Sequence, residues 1–205
     1  MGFSLLETMR LEHGRVVRRD RHVARAAAAA ATLGFPWNAD LVNATLDLEE
    51  KNRPEGVWRA RLLLNQSGTA SIGSEPFVHD SERAWRVTLA AEPVDSSDPS
   101  LRHKTTRREL YERAKAARPE MDDVLLWNER GEITEATIAN VVAEIDNTWW
   151  TPPVSCGLLP GVFRATLLDA GEVQERVITK ADLRRATRIW LINSLREWIP
   201  ATLVP

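Results

Sequence analysis

The sequence predicts an α+β fold in two halves, on three observations. Apolar or alternating segments such as VWRARLLL (Val57–Leu64) and DVLLW (Asp123–Trp127) read as strands. An alanine-rich stretch, HVARAAAAAATLG (His22–Gly34), reads as a helix because alanine loses little on entering one. Between the halves lies PVDSSDPS (Pro93–Ser100), which has turn-forming residues and no hydrophobic period. With 43% hydrophobic and 27% charged residues among 205, either half can build a core.

Along the chain, Ser4–Leu11 reads as a strand, His13-Gly14 as a turn and Arg15–Val17 as its return. Asp20 is the expected cap of the alanine-rich helix and Gly34 its stop. After Pro36 an amphipathic helix is expected over Ala39–Glu50, then strand Val57–Leu64, a turn at Gln66-Ser67-Gly68, and strand Trp85–Ala90. The linker places an N-terminal α/β domain at residues 1–94, a connection at 95–100 and a C-terminal domain at 101–205. That second domain is expected to hold a helix near Thr106–Ala117, strands Asp123–Trp127 and Ile138–Ile145, a helix after Pro160-Gly161, and a β-α-β run over Val173–Ile192.

Composition excludes several classes of function. The balance of 27 basic against 29 acidic residues argues against a nucleic-acid binder. No apolar run has the length of a membrane span, and MGFSLLETMRLEHG lacks the core of a signal peptide. Cys156 is the sole cysteine, so no internal disulfide forms and a cytoplasmic location is expected. The four histidines (His13, His22, His79, His103) lack metal-ligand spacing, and no P-loop, zinc cluster or Gly-x-Ser-x-Gly elbow occurs. Eight tryptophans read as core and interface packing. Lys104, in Arg-His-Lys-Thr-Thr just after the linker, is placed where a partly buried amine could act as a nucleophile, although alone it reads as a solvated lysine.

A set of ordered motifs changes that weighing. HVAR (His22–Arg25), HKTT (His103–Thr106), DDVLLWNERGEITEATIAN (Asp122–Asn140), TPP (Thr151–Pro153), GLLPGVFR (Gly157–Arg164) and INSLREW (Ile192–Trp198) together resemble the class IV, fold-type IV pyridoxal-phosphate enzymes. The resemblance implies a two-domain fold-type IV architecture, pyridoxal 5'-phosphate as cofactor, a small amino substrate and a homodimer. It makes Lys104 the lysine that bonds the cofactor and moves protons, and Glu135 the carboxylate facing the pyridine nitrogen. Asn140, five residues after Glu135, is implied as the brace of that turn, and Arg25, the backbone amides of Val162 and Phe163, and the side chains of Asn193 and Ser194 as the phosphate cup. Phe163 stands where relatives often have threonine, and Glu197 where they often have glycine.

Aminotransferases of this family place a tyrosine five residues after the lysine. Here that position is Glu109, and Arg108 precedes it. This looks like the aminodeoxychorismate lyase branch, which acts beside an aminodeoxychorismate synthase. Arg59 and Arg61, two apart on one strand face, and Arg108 are candidates for the substrate carboxylates. A branched-chain or D-amino-acid aminotransferase is the alternative; a non-catalytic cofactor-binding or interaction module is a third.

Overall fold

In a computed structural model, which describes residues 2–78 and 82–205, the chain divides into two compact units. One comprises residues 1–79 with 103–107, the other residues 80–102 with 108–205. His79 lies outside the described residues. No helix among the described residues is long and apolar enough to cross a membrane.

The first unit is a four-stranded sheet, ordered β2-β1-β3-β4, packed against helices. Strand β1 (Leu5–Glu12) turns through His13 and Gly14, both at positive φ, into the short β2 (Arg15–Val16). Helix α1 (Arg19–Leu33) buries His22, Ala26, Ala29 and Ala30, and the small alanine side chains bring it close to the sheet. Asp20 does not cap it: Arg18 is the N-cap, in a left-handed conformation without a side-chain bond, and Asp20 sits in the first turn. An acidic group there still complements the helix dipole. Gly34 ends the helix at φ 72°. Helix α2 (Ala39–Asn52) is capped by Asn38, whose side chain accepts from the Leu41 N–H. Strand β3 (Val57–Leu64) pairs with β1 along its whole length, and β4 (Ala70–Pro76) follows on its other edge.

The second unit is built on one eight-stranded sheet, ordered β10-β9-β8-β11-β12-β5-β6-β7. Its strands are β5 (Trp85–Leu89), β6 (Asp123–Trp127), β7 (Ile133–Ala136), β8 (Asn140–Ile145), β9 (Thr148–Thr151), β10 (Gln174–Glu175), β11 (Arg188–Asn193) and β12 (Glu197–Leu203). A further pairing of β7 with β8 closes the run from β8 to β7 on itself around Val87, Leu125, Val141, Leu191 and Ile199. Helices α3 (Glu109–Ala116), α4 (Val162–Asp169) and α5 (Lys180–Arg185) complete it.

Two further expectations are corrected. The units do not divide at residues 95–100: β5 runs parallel to β12 and β6 inside the second sheet, and Val94 bridges Asn128 there. Composition marks that stretch as a loop without saying which unit owns it. The strand expected from Ile138 starts at Asn140, because Ala136 N–H bonds Ala139 C=O and a turn separates β7 from β8. The β-α-β order expected over Val173–Ile192 is found as β10, α5 and β11, with β10 adding to β9 and β11 to β8.

Candidate active site

In the first unit, residues 103–107 lie along β1. Lys104 C=O accepts the Leu6 N–H at 2.9 Å, Thr105 bridges Leu5, and Thr106 N–H donates to Ser4 C=O at 2.9 Å. The backbone carrying the Lys104 amine is thus pinned to a sheet.

One residue along from Leu6 stands Glu7, on the inward row of β1 with Leu5, Met9 and Leu11, and only 3% exposed. Arg25 grips it with two bonds, Nε to Oε1 at 2.8 Å and Nη2 to Oε2 at 2.6 Å. His22 Nδ1 lies 2.6 Å from the same Oε2. The three-residue spacing of HVAR puts imidazole and guanidinium on one helix face, over the carboxylate. Burial by itself would raise the Glu7 carboxyl, but the Arg25 charge and the bonds from His22 and Arg25 outweigh it and hold it at about 2. Burial pushes His22 below its ordinary value; Glu7 opposes this, while the Arg25 and Lys104 charges add to it. Sequence reasoning found Arg25 and missed Glu7, whose only local signal is a carboxylate in an otherwise apolar row.

Arg59 and Arg61 share the face of β3 opposite Ala60, Leu62 and Leu64. They differ in partners. Arg59 Nη2 pairs with Glu75 at 2.6 Å, and its neighbour across the strands, Arg10, pairs with Glu12 at 2.9 Å. Arg61 is exposed and has no ion-pair partner among the described residues.

In the second unit, Glu135 on β7 is 4% exposed and is paired in register with Asn140 on β8. Tyr111 Oη, from α3, donates to its Oε1 at 2.8 Å. Burial and then the Glu135 charge push the Tyr111 phenol far above its ordinary value, so it remains a donor. Arg108 lies against the Tyr111 ring, 4.8 Å from its centroid, and donates to Thr137 C=O at 2.6 Å. From the other side Asp123, itself 1% exposed, accepts from the Thr137 N–H and hydroxyl. The turn that follows Glu135 is therefore held by Arg108 and Asp123, a bracing task the sequence did not assign to either.

Helix α4 begins after Gly161 without a side-chain cap, so the backbone amides of Val162 and Phe163 stand at its N-terminus. The Phe163 side chain is buried with Val142, Leu167 and Ile192 and edge-on to Trp198. Asn140 Nδ2 donates to Leu159 C=O at 2.9 Å, and a Cβ at Gly161 would stand 2.0 Å from Asn140 Oδ1. Asn140 thus braces the approach to α4, and only glycine fits at 161. Asn193 is a turn brace as well: its Oδ1 accepts from Leu195 and Arg196 N–H, and its Nδ2 donates to Ile138 C=O. Ser194 next to it is buried, and Glu197 adopts φ 61°, the conformation that favours glycine.

A family model described as amino-transferase class IV matches residues 4–204. The chain is 29% identical over 209 residues to a Schizosaccharomyces pombe protein named "Putative aminodeoxychorismate lyase", covering 98% of this chain and 90% of that one. It is 42% identical to the crystal structure of a "Putative amino-acid aminotransferase" from Mesorhizobium loti, with a TM-score of 0.92 and coverage of 98% of this chain and 100% of that one. A Mycobacterium tuberculosis structure, "a hypothetical aminotransferase" in its PLP-bound form, shares the fold at a TM-score of 0.81 and 21% identity, covering 98% of this chain and 81% of that one.

Proposed function

The chain belongs to the amino-transferase class IV family, and from that premise we propose that it is a pyridoxal-phosphate-dependent 4-amino-4-deoxychorismate lyase, yielding pyruvate and 4-aminobenzoate. The observation that carries the choice of reaction is the position of the one tyrosine. Tyr111 is committed to Glu135, and the position five residues after Lys104, where the aminotransferases of the resemblance place a phenol, holds exposed Glu109. The Schizosaccharomyces pombe relative supports the same branch.

The donor set suits the cofactor. In the first unit Lys104 offers an amine on a fixed backbone; in the second, Glu135 offers a buried carboxylate directed by Tyr111, and α4 an N-terminus that follows a glycine admitting no Cβ. Arg25, the Val162 and Phe163 amides and Ser194 would hold the phosphate. Asn193 would support that cup by fixing the turn that carries Ser194, not by donating to it. Once bound, pyridoxal phosphate supplies an electron sink for charge developing at the amine-bearing carbon. Glu135 keeps a proton on the ring nitrogen. Lys104 takes the proton from the amine-bearing carbon of the substrate and returns one to the departing enolpyruvyl group. Loss of that group as pyruvate leaves an aromatic ring, which drives the reaction forward. Arg61, unpaired where Arg59 is neutralised, is the better carboxylate ligand; Arg108 is spent on Thr137.

The proposal includes a homodimer and a supply of substrate from an aminodeoxychorismate synthase. Product analysis tests it: aminodeoxychorismate should give 4-aminobenzoate and pyruvate in equal amounts without a keto-acid co-substrate. The second reading, an amino-acid aminotransferase, is favoured by the Mesorhizobium loti likeness. Amino transfer from a common amino acid to 2-oxoglutarate, with no 4-aminobenzoate formed from aminodeoxychorismate, would make it the correct one.

A further inference from the structure

A carboxylate on the inward row of β1 is costly. Removing it from water disfavours the charge by several kcal/mol, and an apolar residue matching Leu5, Met9 and Leu11 would serve packing at least as well. What Glu7 provides instead is direction. A guanidinium gripped through Nε and Nη2 by both oxygens of one carboxylate is fixed in plane as well as in place. His22, 1% exposed, fixes the carboxylate in turn through Nδ1. The same strand holds the lysine: Leu6, the neighbour of Glu7, donates its N–H to Lys104 C=O.

We propose that Glu7 is a positioning residue for phosphate recognition, aiming Arg25 so that β1 sets the distance between the amine that bonds the cofactor and the guanidinium that holds its phosphate. The inference rests on the assignment of Arg25 to the phosphate. Glu7 touches neither cofactor nor substrate in this role. Its effect must therefore show in binding of the phosphate and not in binding of the ring.

Tryptophan fluorescence of the full apo-chain, titrated with pyridoxal 5'-phosphate and separately with pyridoxal, reads this directly. In Glu7→Gln the affinity for the phosphorylated compound should fall roughly ten- to a hundred-fold, the size of one lost charge-assisted contact, with pyridoxal affinity unchanged. Arg25→Gln should lose the same preference, and the double variant should be no worse than Arg25→Gln alone. Equal losses for both compounds in Glu7→Gln would reduce Glu7 to a packing role and overturn the inference, as would no loss for either. A preference lost in Arg25→Gln but kept in Glu7→Gln overturns the inference and leaves the phosphate assignment standing. A preference kept in Arg25→Gln defeats the phosphate assignment and the inference with it. If Glu7→Gln does not fold, Glu7→Asp, which keeps the charge and withdraws it by one methylene, should still lower phosphate preference several-fold; an unchanged preference there overturns the inference.

Discussion

Two buried glutamates, one in each unit, meet opposite fates. Glu7 sits against a guanidinium and an imidazole, which together use both of its oxygens. Glu135 accepts from the Tyr111 phenol, and the turn after it is braced by Arg108 and Asp123. The contrast separates two uses of a buried charge. A carboxylate gripped by a cation is an anchor, whose ionisation is settled by the fold. The Tyr111 phenol instead directs the Glu135 carboxylate without supplying a charge of its own, which suits a group proposed to face the pyridinium.

The first way to break this comparison removes the amine that would bond the cofactor both carboxylates are proposed to serve. Lys104→Ala should lower turnover by roughly 10⁴-fold, as expected for loss of a nucleophile that also moves protons, and borohydride should fix no pyridoxal phosphate covalently to the chain. Near-normal activity would strip Lys104 of its role. Glu135→Gln comes next, with a loss of roughly 10²–10³ in kcat and cofactor still bound. Unchanged kcat would show that Glu135 is an anchor like Glu7.

The pH dependence of stability sharpens the other side. Glu7 is depressed from 4.5 to about 2 in the fold, so its stabilisation is complete above 4.5 and is lost as pH falls from 4.5 through 2. His22, also lowered, acts in the same direction and begins to subtract below 6.5. Acid unfolding followed by circular dichroism should show a loss of about 3 kcal/mol across the Glu7 window. In Glu7→Gln that window should flatten; an identical acid limb would contradict the anchor reading.

Smaller effects follow. Arg61→Ala should raise KM roughly ten-fold and Arg59→Ala much less, since Glu75 already neutralises Arg59. Equal effects of the two on steady-state KM would remove the distinction. Tyr111→Phe should cost only several-fold in kcat/KM, because one hydrogen bond to Glu135 is lost. Unchanged kcat/KM would mean the phenol only packs.

Much was legible in the chain because it is local. The alternation of Val57–Leu64, the alanine run of α1 and the glycine that ends it depend on neighbours within a few residues, as does the i, i+3 spacing of His22 and Arg25. The motifs around Lys104, Glu135 and Gly161 are short and contiguous for the same reason. What the tertiary structure alone decided is non-local. Strand β4 has little apolar alternation and exists because its backbone completes the edge of β3. β5 joins the second unit because β12, a strand the sequence did not announce, lies beside it from the far end of the chain. Tyr111 finds Glu135 across 24 residues, and Glu7 finds Arg25 across 18. Local pattern reports which side chains turn away from water; only the pairing of distant strands and helices determines which donors each buried carboxylate meets.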